Sequence, residues 1–248
     1  MTVRVECCGV PASGKSTLCA GALRRLGQRN RGVLGSEAMV EAGLRARDFG
    51  ALGNFLGAVV PGWRRDFLGL PRALNDWHRF VVAHPAFAAL CHRWLAEADA
   101  DAAWREAVHH SLLTSAFEFQ LAGAVDKPVL MDEGFAQRFY SLRGYRGLGR
   151  AGDAALYAAT MPRPTALVCV ATPPEVCVAR VQKRDHIPVL MQGEPPEQLP
   201  VRFAEGNALL AELATELERL GVPVLRVDGA GDAEAESAKI ADFVERLL

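Results

Sequence analysis

A chain of 248 residues, 50% of them hydrophobic, can bury a full core as one large α/β domain or as two small ones. Its 28 Lys and Arg nearly balance 29 Asp and Glu, for a net charge of -1, which excludes the broad basic field that sequence-independent binding to nucleic acid polymers requires. No run approaches the roughly 18 apolar residues that span a bilayer, and the N-terminus lacks the charged start, apolar core and small-residue cleavage site of a secretory signal. A soluble, cytoplasmic protein without a membrane partner is expected.

The first element is an apolar strand candidate, Val3 to Cys8, broken only by Arg4 and Glu6. It runs into GVPASGKST, residues 9–17, and then into a helical pattern from Ser16 to Leu26 with Leu18, Ala22, Leu23 and Leu26 on one face and Gly27 as its stop. A short strand is expected at Gly32-Val33-Leu34. From about Glu37 to Ala124 strand patterns give way to several helices punctuated at Pro61-Gly62, Pro71 and Pro85, and all four tryptophans fall in this stretch. Large rings there read as packing anchors. A helix over Ala107 to Leu121 precedes a strand, Pro128 to Asp132. A further strand, Thr165 to Ala171, leads through Thr172-Pro173-Pro174 into a helix from Glu175 to Lys183. The chain closes with helix Ala204 to Leu220, strand Val222 to Val227 and helix Ala233 to Leu248. Strand alternating with helix predicts a doubly wound parallel sheet covered on both faces, in one domain.

The six cysteines (Cys7, Cys8, Cys19, Cys91, Cys169 and Cys177) form no CxxC pair and sit mostly in apolar segments, so they read as reduced core residues. Cys7 and Cys8 point to opposite faces of their strand and cannot grip one metal ion together. His109 and His110 lie in a helical stretch without metal-ligand spacing and read as surface or packing side chains.

Gly9-x-x-x-x-Gly14-Lys15-Ser16 has the spacing of a phosphate-binding P-loop, with the strand before it and the helix after it in place. Gly9, Val10, Pro11, Ala12, Ser13, Gly14, Lys15, Ser16 and Thr17 are therefore expected to hold a nucleoside triphosphate. The glycines let backbone N–H groups approach the phosphates, Lys15 reaches the β- and γ-phosphates, and Ser16 offers a hydroxyl to Mg²⁺. Binding does not imply catalysis, since P-loops also serve switches and motors. Asp132 and Glu133, at the carboxyl end of the third strand, are placed to hold the magnesium shell or to take a proton from an incoming hydroxyl. Arg180, Lys183 and Arg184 share the end of the helix before DHIPVLMQGEPPEQLP, a stretch whose prolines and glycine suggest a lid over about 181–200. Arginines at such a hinge can meet charge developing on a transferred phosphoryl group.

GVPASGKST, KPVLMDEG and ATPPEVCVARVQKR, in this order, resemble the P-loop kinases of small metabolites, and especially the deoxynucleoside kinase and thymidylate kinase group. The resemblance implies a P-loop NTPase three-layer sandwich with a five-stranded parallel sheet, a substrate-side helical insertion over about 50–115, and a lid. It implies ATP and Mg²⁺, with Arg180 and Arg184 on the phosphates and Ser16 and Asp132 on the metal. It also implies an acidic residue after the second strand that acts on the substrate hydroxyl; Glu37, 22 residues beyond Lys15, stands there. The adenine would pack near Asp228-Gly229-Ala230-Gly231. Two departures concern the acceptor: Ala38 stands where the group has proline, and no arginine follows Asp132-Glu133 until Arg138. A phosphorylated acceptor would need one or two of Arg45, Arg47, Arg64, Arg65, Arg138, Arg143 and Arg146. The expected partner is a small-molecule phosphoryl acceptor, a nucleoside or nucleotide first and a sugar, antibiotic or other hydroxylated metabolite second. A regulatory P-loop ATPase is the reading outside kinase chemistry, and a homodimer is compatible with either.

Overall fold

The computed structural model describes residues 2–46, 69–144, 148–183 and 195–248, the side chains of 69–74 excepted. Arg184, most of the expected lid and the first part of the expected insertion lie outside the described residues.

Five parallel strands form one sheet in the order β2-β3-β1-β4-β5. The elements are β1 (Arg4–Cys8), β2 (Leu34–Gly35), β3 (Val129–Met131), β4 (Ala166–Ala171) and β5 (Val224–Asp228). β1 lies at the centre, with Val5 opposite Leu130 of β3 on one side and Ala166 of β4 on the other. Central strands of a parallel sheet are covered on both faces, which is why these segments read as near-continuous apolar runs. β2 falls slightly later than Gly32 to Leu34, because Gly32 takes φ 62 in the turn and pairing starts with Leu34 opposite Val129. Gly27 does not stop the first helix: α1 (Lys15–Gln28) runs through it, and the chain turns at Asn30, φ 55.

Alternation along β1 separates two cores. Val5 and Cys7 pack with Leu18, Cys19, Ala22 and Leu26 of α1 and with Ile240, Ala241 and Val244 of the C-terminal helix Ala233–Glu245. Cys8 joins Leu167, Cys169, Phe135 and Phe203 in the larger core on the other face. All six cysteines are free and buried, with Cys19 Sγ 3.0 Å from Cys7 Sγ. Helices therefore cover both faces of the sheet. No helix among the described residues is long and apolar enough to cross a membrane.

The middle of the chain is helical, as its pattern predicts. α2 (Ser36–Ala46) follows β2, and α3 (Gly69–Ala83), α4 (Pro85–Glu97) and α5 (Ala102–Ala122) follow in turn. Pro71 does not end a helix but lies in the first turn of α3, where its missing N–H costs nothing. Pro85 sits likewise in the first turn of α4. α5 begins five residues before Ala107 because Asp101 caps it, its Oδ1 accepting from Trp104 N at 2.7 Å. Trp77, Trp94 and Trp104 are buried anchors. Trp77 stacks on His92 and meets His109 edge-on, so His109 packs against a ring.

After β3 come the short α6 (Phe135–Phe139), a π-helical turn (Tyr140–Gly144) and α7 (Asp153–Thr160). Arg143 in that turn pairs with Asp153 at 2.8 Å and lies over Trp94, 4.3 Å from the ring centre. α8 (Pro174–Gln182) follows β4, and α9 (Leu199–Arg219) starts ahead of Ala204 with Pro200 in its first turn. Positions 199–200 thus belong to a helix. The chain ends with α10 (Ala233–Glu245).

Candidate active site

The carboxyl end of β1 delivers the chain into the loop Gly9–Gly14, which enters α1 without a side-chain cap. The first N–H groups of α1 are therefore free of a capping side chain at the loop, where the helix dipole favours an anion. Ser13 N–H donates to Val10 O at 3.1 Å, tightening the loop. Gly14 has φ 97, a conformation that side chains rarely adopt, so the motif's second glycine is required by backbone geometry. Ala12, with φ 63, holds the same left-handed region at a cost that only surrounding contacts can sustain. Lys15 Nζ donates to Gly9 O at 2.9 Å and is buried. Ser13 is fully buried, and its Oγ has no hydrogen-bond partner among the described residues. A buried hydroxyl in that state points to a ligand that completes it.

Three later segments brace this loop from behind. Thr172 Oγ1, just past β4, donates to Ser13 O at 2.8 Å, and Asn207 Nδ2 of α9 donates to Thr172 O at 2.8 Å. Arg180 of α8 donates through Nη1 to Ala12 O at 3.2 Å and through Nη2 to Gly229 O at 2.9 Å. Its guanidinium thus ties the Gly9–Gly14 loop to the Asp228–Gly231 loop, a bracing contact the sequence does not announce. Gly229 packs so closely that a Cβ there would stand 2.1 Å from both Ser13 O and Thr172 Oγ1. Its glycine is explained by close approach and not by turn chemistry alone.

Residues 11–17 form one wall of a cavity of about 330 Å³, with Ser16 and Thr17 exposed along it. The opposite wall is made by Ser111 of α5, Glu133 after β3, and Gln137, Arg138, Tyr140 and Ser141 of α6 and its π-helical turn. Gln137 joins the walls, its Oε1 accepting from Gly9 N–H at 3.0 Å.

The carboxylates expected at the site are sorted by the fold. Glu133 lines the cavity and accepts from Arg138 Nη2 at 2.8 Å, while Arg138 Nε donates to Ser115 Oγ at 2.9 Å. Asp132 accepts from Ser36 Oγ at 3.1 Å, at the junction of β2 and α2. Glu37, the next residue after Ser36, is exposed there. Glu6, 1% exposed, is satisfied by Arg4 Nε at 3.2 Å and by Ala136 N–H at 2.9 Å, a structural role.

Glu118 of α5, absent from the sequence reading, is half-buried and makes no hydrogen bond among the described residues. Burial pushes its carboxyl up from its ordinary 4.5 to about 7; nearby Arg138 opposes this, and Asp132, Glu133 and Glu6 add to it. The native state therefore keeps a proton that the unfolded chain has lost, and stability falls as pH rises from about 4.5 to about 7. Glu118→Gln is expected to be more stable than the wild type at pH 8 by on the order of 1–3 kcal/mol and to match it at pH 4. Urea unfolding at the two pH values measures this, and a variant weaker at pH 8 would contradict it.

Ser111, Ser115 and Glu118 recur at i, i+4 and i+7 of α5 and so share a helix face, which is the signal the sequence did carry for them. Gln137 carried none. No protein-family model matches the chain, and no curated protein matches it in sequence.

Proposed function

We propose that the chain is a P-loop kinase of a small metabolite, moving the γ-phosphoryl group of Mg-ATP to an acceptor. The observation that carries this reading is one cavity with an amide and lysine cradle on one wall and an Arg138-held carboxylate, Glu133, on the other. A binding-only site needs the first wall; transfer needs both.

In this reading the triphosphate lies along the backbone N–H groups of residues 10–16, completes the Ser13 hydroxyl and draws Lys15 from Gly9 O to the β- and γ-phosphates. Ser16 on the cavity wall and Asp132 would hold Mg²⁺ through hard oxygen donors of the kind it takes. The ion would there supply neutralisation of triphosphate charge. Arg180 holds the loop in shape for this approach. An acceptor oxygen attacks the γ-phosphorus, the bond to the ADP oxygen breaks, and the acceptor proton passes to Glu133, oriented by Arg138.

Incubation with Mg-ATP and a pooled metabolite extract is expected to give a mass gain of one phosphoryl group in at least one compound. Glu133→Gln should lower kcat about 10²- to 10⁴-fold, whereas Asp132→Asn should chiefly raise the Mg²⁺ concentration required. The reverse pattern would exchange the two roles. ATP binding without any phosphorylated product would favour a regulatory ATPase.

A further inference from the structure

Gln137 of α6 lines the cavity, is 4% exposed, and accepts through Oε1 from Gly9 N–H at 3.0 Å. Only the oxygen of a side-chain amide can meet an N–H, so this bond fixes which way the amide faces: Oε1 toward Gly9 and the Nε2 donors away from it. Among the described residues Nε2 makes no hydrogen bond, and it is not one of the atoms sealed inside the protein. Its donors therefore open on the cavity that the residue lines.

Ser141, one helical step further along, is 2% exposed on the same wall, and its hydroxyl likewise makes no hydrogen bond among the described residues and is not sealed inside. Between the two, α6 widens into the π-helical turn Tyr140–Gly144, a conformation that recurs at functional sites. The facing loop carries a third such group, Ser13 Oγ, fully buried and without a partner among the described residues. Water can meet groups like these while a cavity is empty, but a ligand that displaces it must supply the same bonds or bind weakly. The triphosphate already has the N–H groups of the loop and Lys15 on the opposite wall. Gln137 shares its wall with Glu133, the proton acceptor of the proposed reaction, and so it meets a different atom of the molecule whose hydroxyl reacts there.

Resting on the kinase reading, we propose that the acceptor carries a second hydroxyl near the one that is phosphorylated, as sugars, polyols and nucleosides do, and that Gln137 recognises it by donating from Nε2 to its oxygen. The Ser141 hydroxyl adds a bond to the same part of the molecule. Gln137 is then a specificity-determining residue. Its bond to Gly9 holds it in register with the loop, so that one side chain places the acceptor relative to the triphosphate. A wall that hydrogen-bonds a hydroxyl rejects the analogue that lacks it, because its own buried donors are left unpaired.

The test gives the full-length protein Mg-ATP and pooled sugars, polyols, nucleosides and their phosphates, and takes the compound that gains one phosphoryl group beside analogues that each lack one other hydroxyl. In the wild type, kcat/KM should fall about 10- to 100-fold for one of these analogues. Gln137→Met, similar in length but without donors, should use that analogue and the parent compound within about 3-fold of each other, since the two losses remove the same bond. A variant that had merely lost its brace on Gly9 would slow on both compounds alike. Ser141→Ala leaves the Gly9 bond in place and should narrow the discrimination by about 3-fold or more. Discrimination intact in Gln137→Met overturns the proposal, as does a phosphorylated compound with no second hydroxyl. Should Gln137→Met fail to fold by far-ultraviolet circular dichroism, wild-type discrimination in Ser141→Ala overturns it instead. No phosphorylated compound in the pool overturns the kinase reading itself, and this inference with it.

Discussion

Lys15→Ala is expected to lower phosphoryl transfer by at least about 10³-fold, the scale on which loss of one preorganised charge at a transferring group is felt. The side chain is 8% exposed, and its one hydrogen bond among the described residues is to Gly9 O, inside its own loop. In the proposed kinase, removal would therefore deprive the triphosphate of its cation without breaking a link between elements. Lost burial of the alkyl stem should cost only about 1–2 kcal/mol, so the variant should melt cooperatively with an unchanged far-ultraviolet spectrum. Turnover near the wild-type rate in a folded Lys15→Ala protein would sink the kinase assignment.

Arg143→Met should give the largest loss of stability, about 3–5 kcal/mol, because it strands a charge in the larger core. Arg143 and Asp153 are both buried, meet at 2.8 Å, and fasten the π-helical turn to α7; the guanidinium also covers Trp94 of α4. Among the described residues Asp153 would keep the Arg150 N–H, at 2.9 Å. Asp153→Asn added to Arg143→Met should recover part of the loss, since removing both charges is milder than removing one. Urea unfolding measures both, and a loss below about 1 kcal/mol in the single variant would mean that water reaches the pair. Ser141 and Tyr140 of the same turn line the cavity, so the substitution should also weaken acceptor binding. That coupling links a core ion pair to the shape of the site.

Much of the fold was legible because its signals are local. Five strand segments, the helices of the middle region and the loop from Gly9 to Thr17 follow from periodicity, punctuation and one spacing. Those patterns reflect backbone geometry that each segment imposes on itself, as Gly14 at φ 97 shows. Boundaries were less legible where a contact overruled a punctuating residue. Gly27 did not end α1, and Asp101 started α5 earlier than its apolar pattern.

The sequence by itself determined that the chain alternates strand and helix, that a loop with the Gly-x-x-x-x-Gly-Lys-Ser spacing follows the first strand, and that acids follow the third strand. Only the tertiary structure decided which acid faces the loop. Asp132 and Glu133 lie in the bend just after β3, and the fold sends one to Ser36 at the β2–α2 junction and the other to Arg138 of α6. The same holds for Glu118, whose carboxyl is ordinary in a helix and unusual only when folding takes water from it and gathers Arg138, Asp132, Glu133 and Glu6 around it. It holds for Arg180 as well, which reads as a lid cation and lies across the carbonyls of Ala12 and Gly229. Spacing along a chain encodes backbone shape over a few residues. Burial and charge pairing depend on groups brought together from distant segments, and those the packed structure alone assigns.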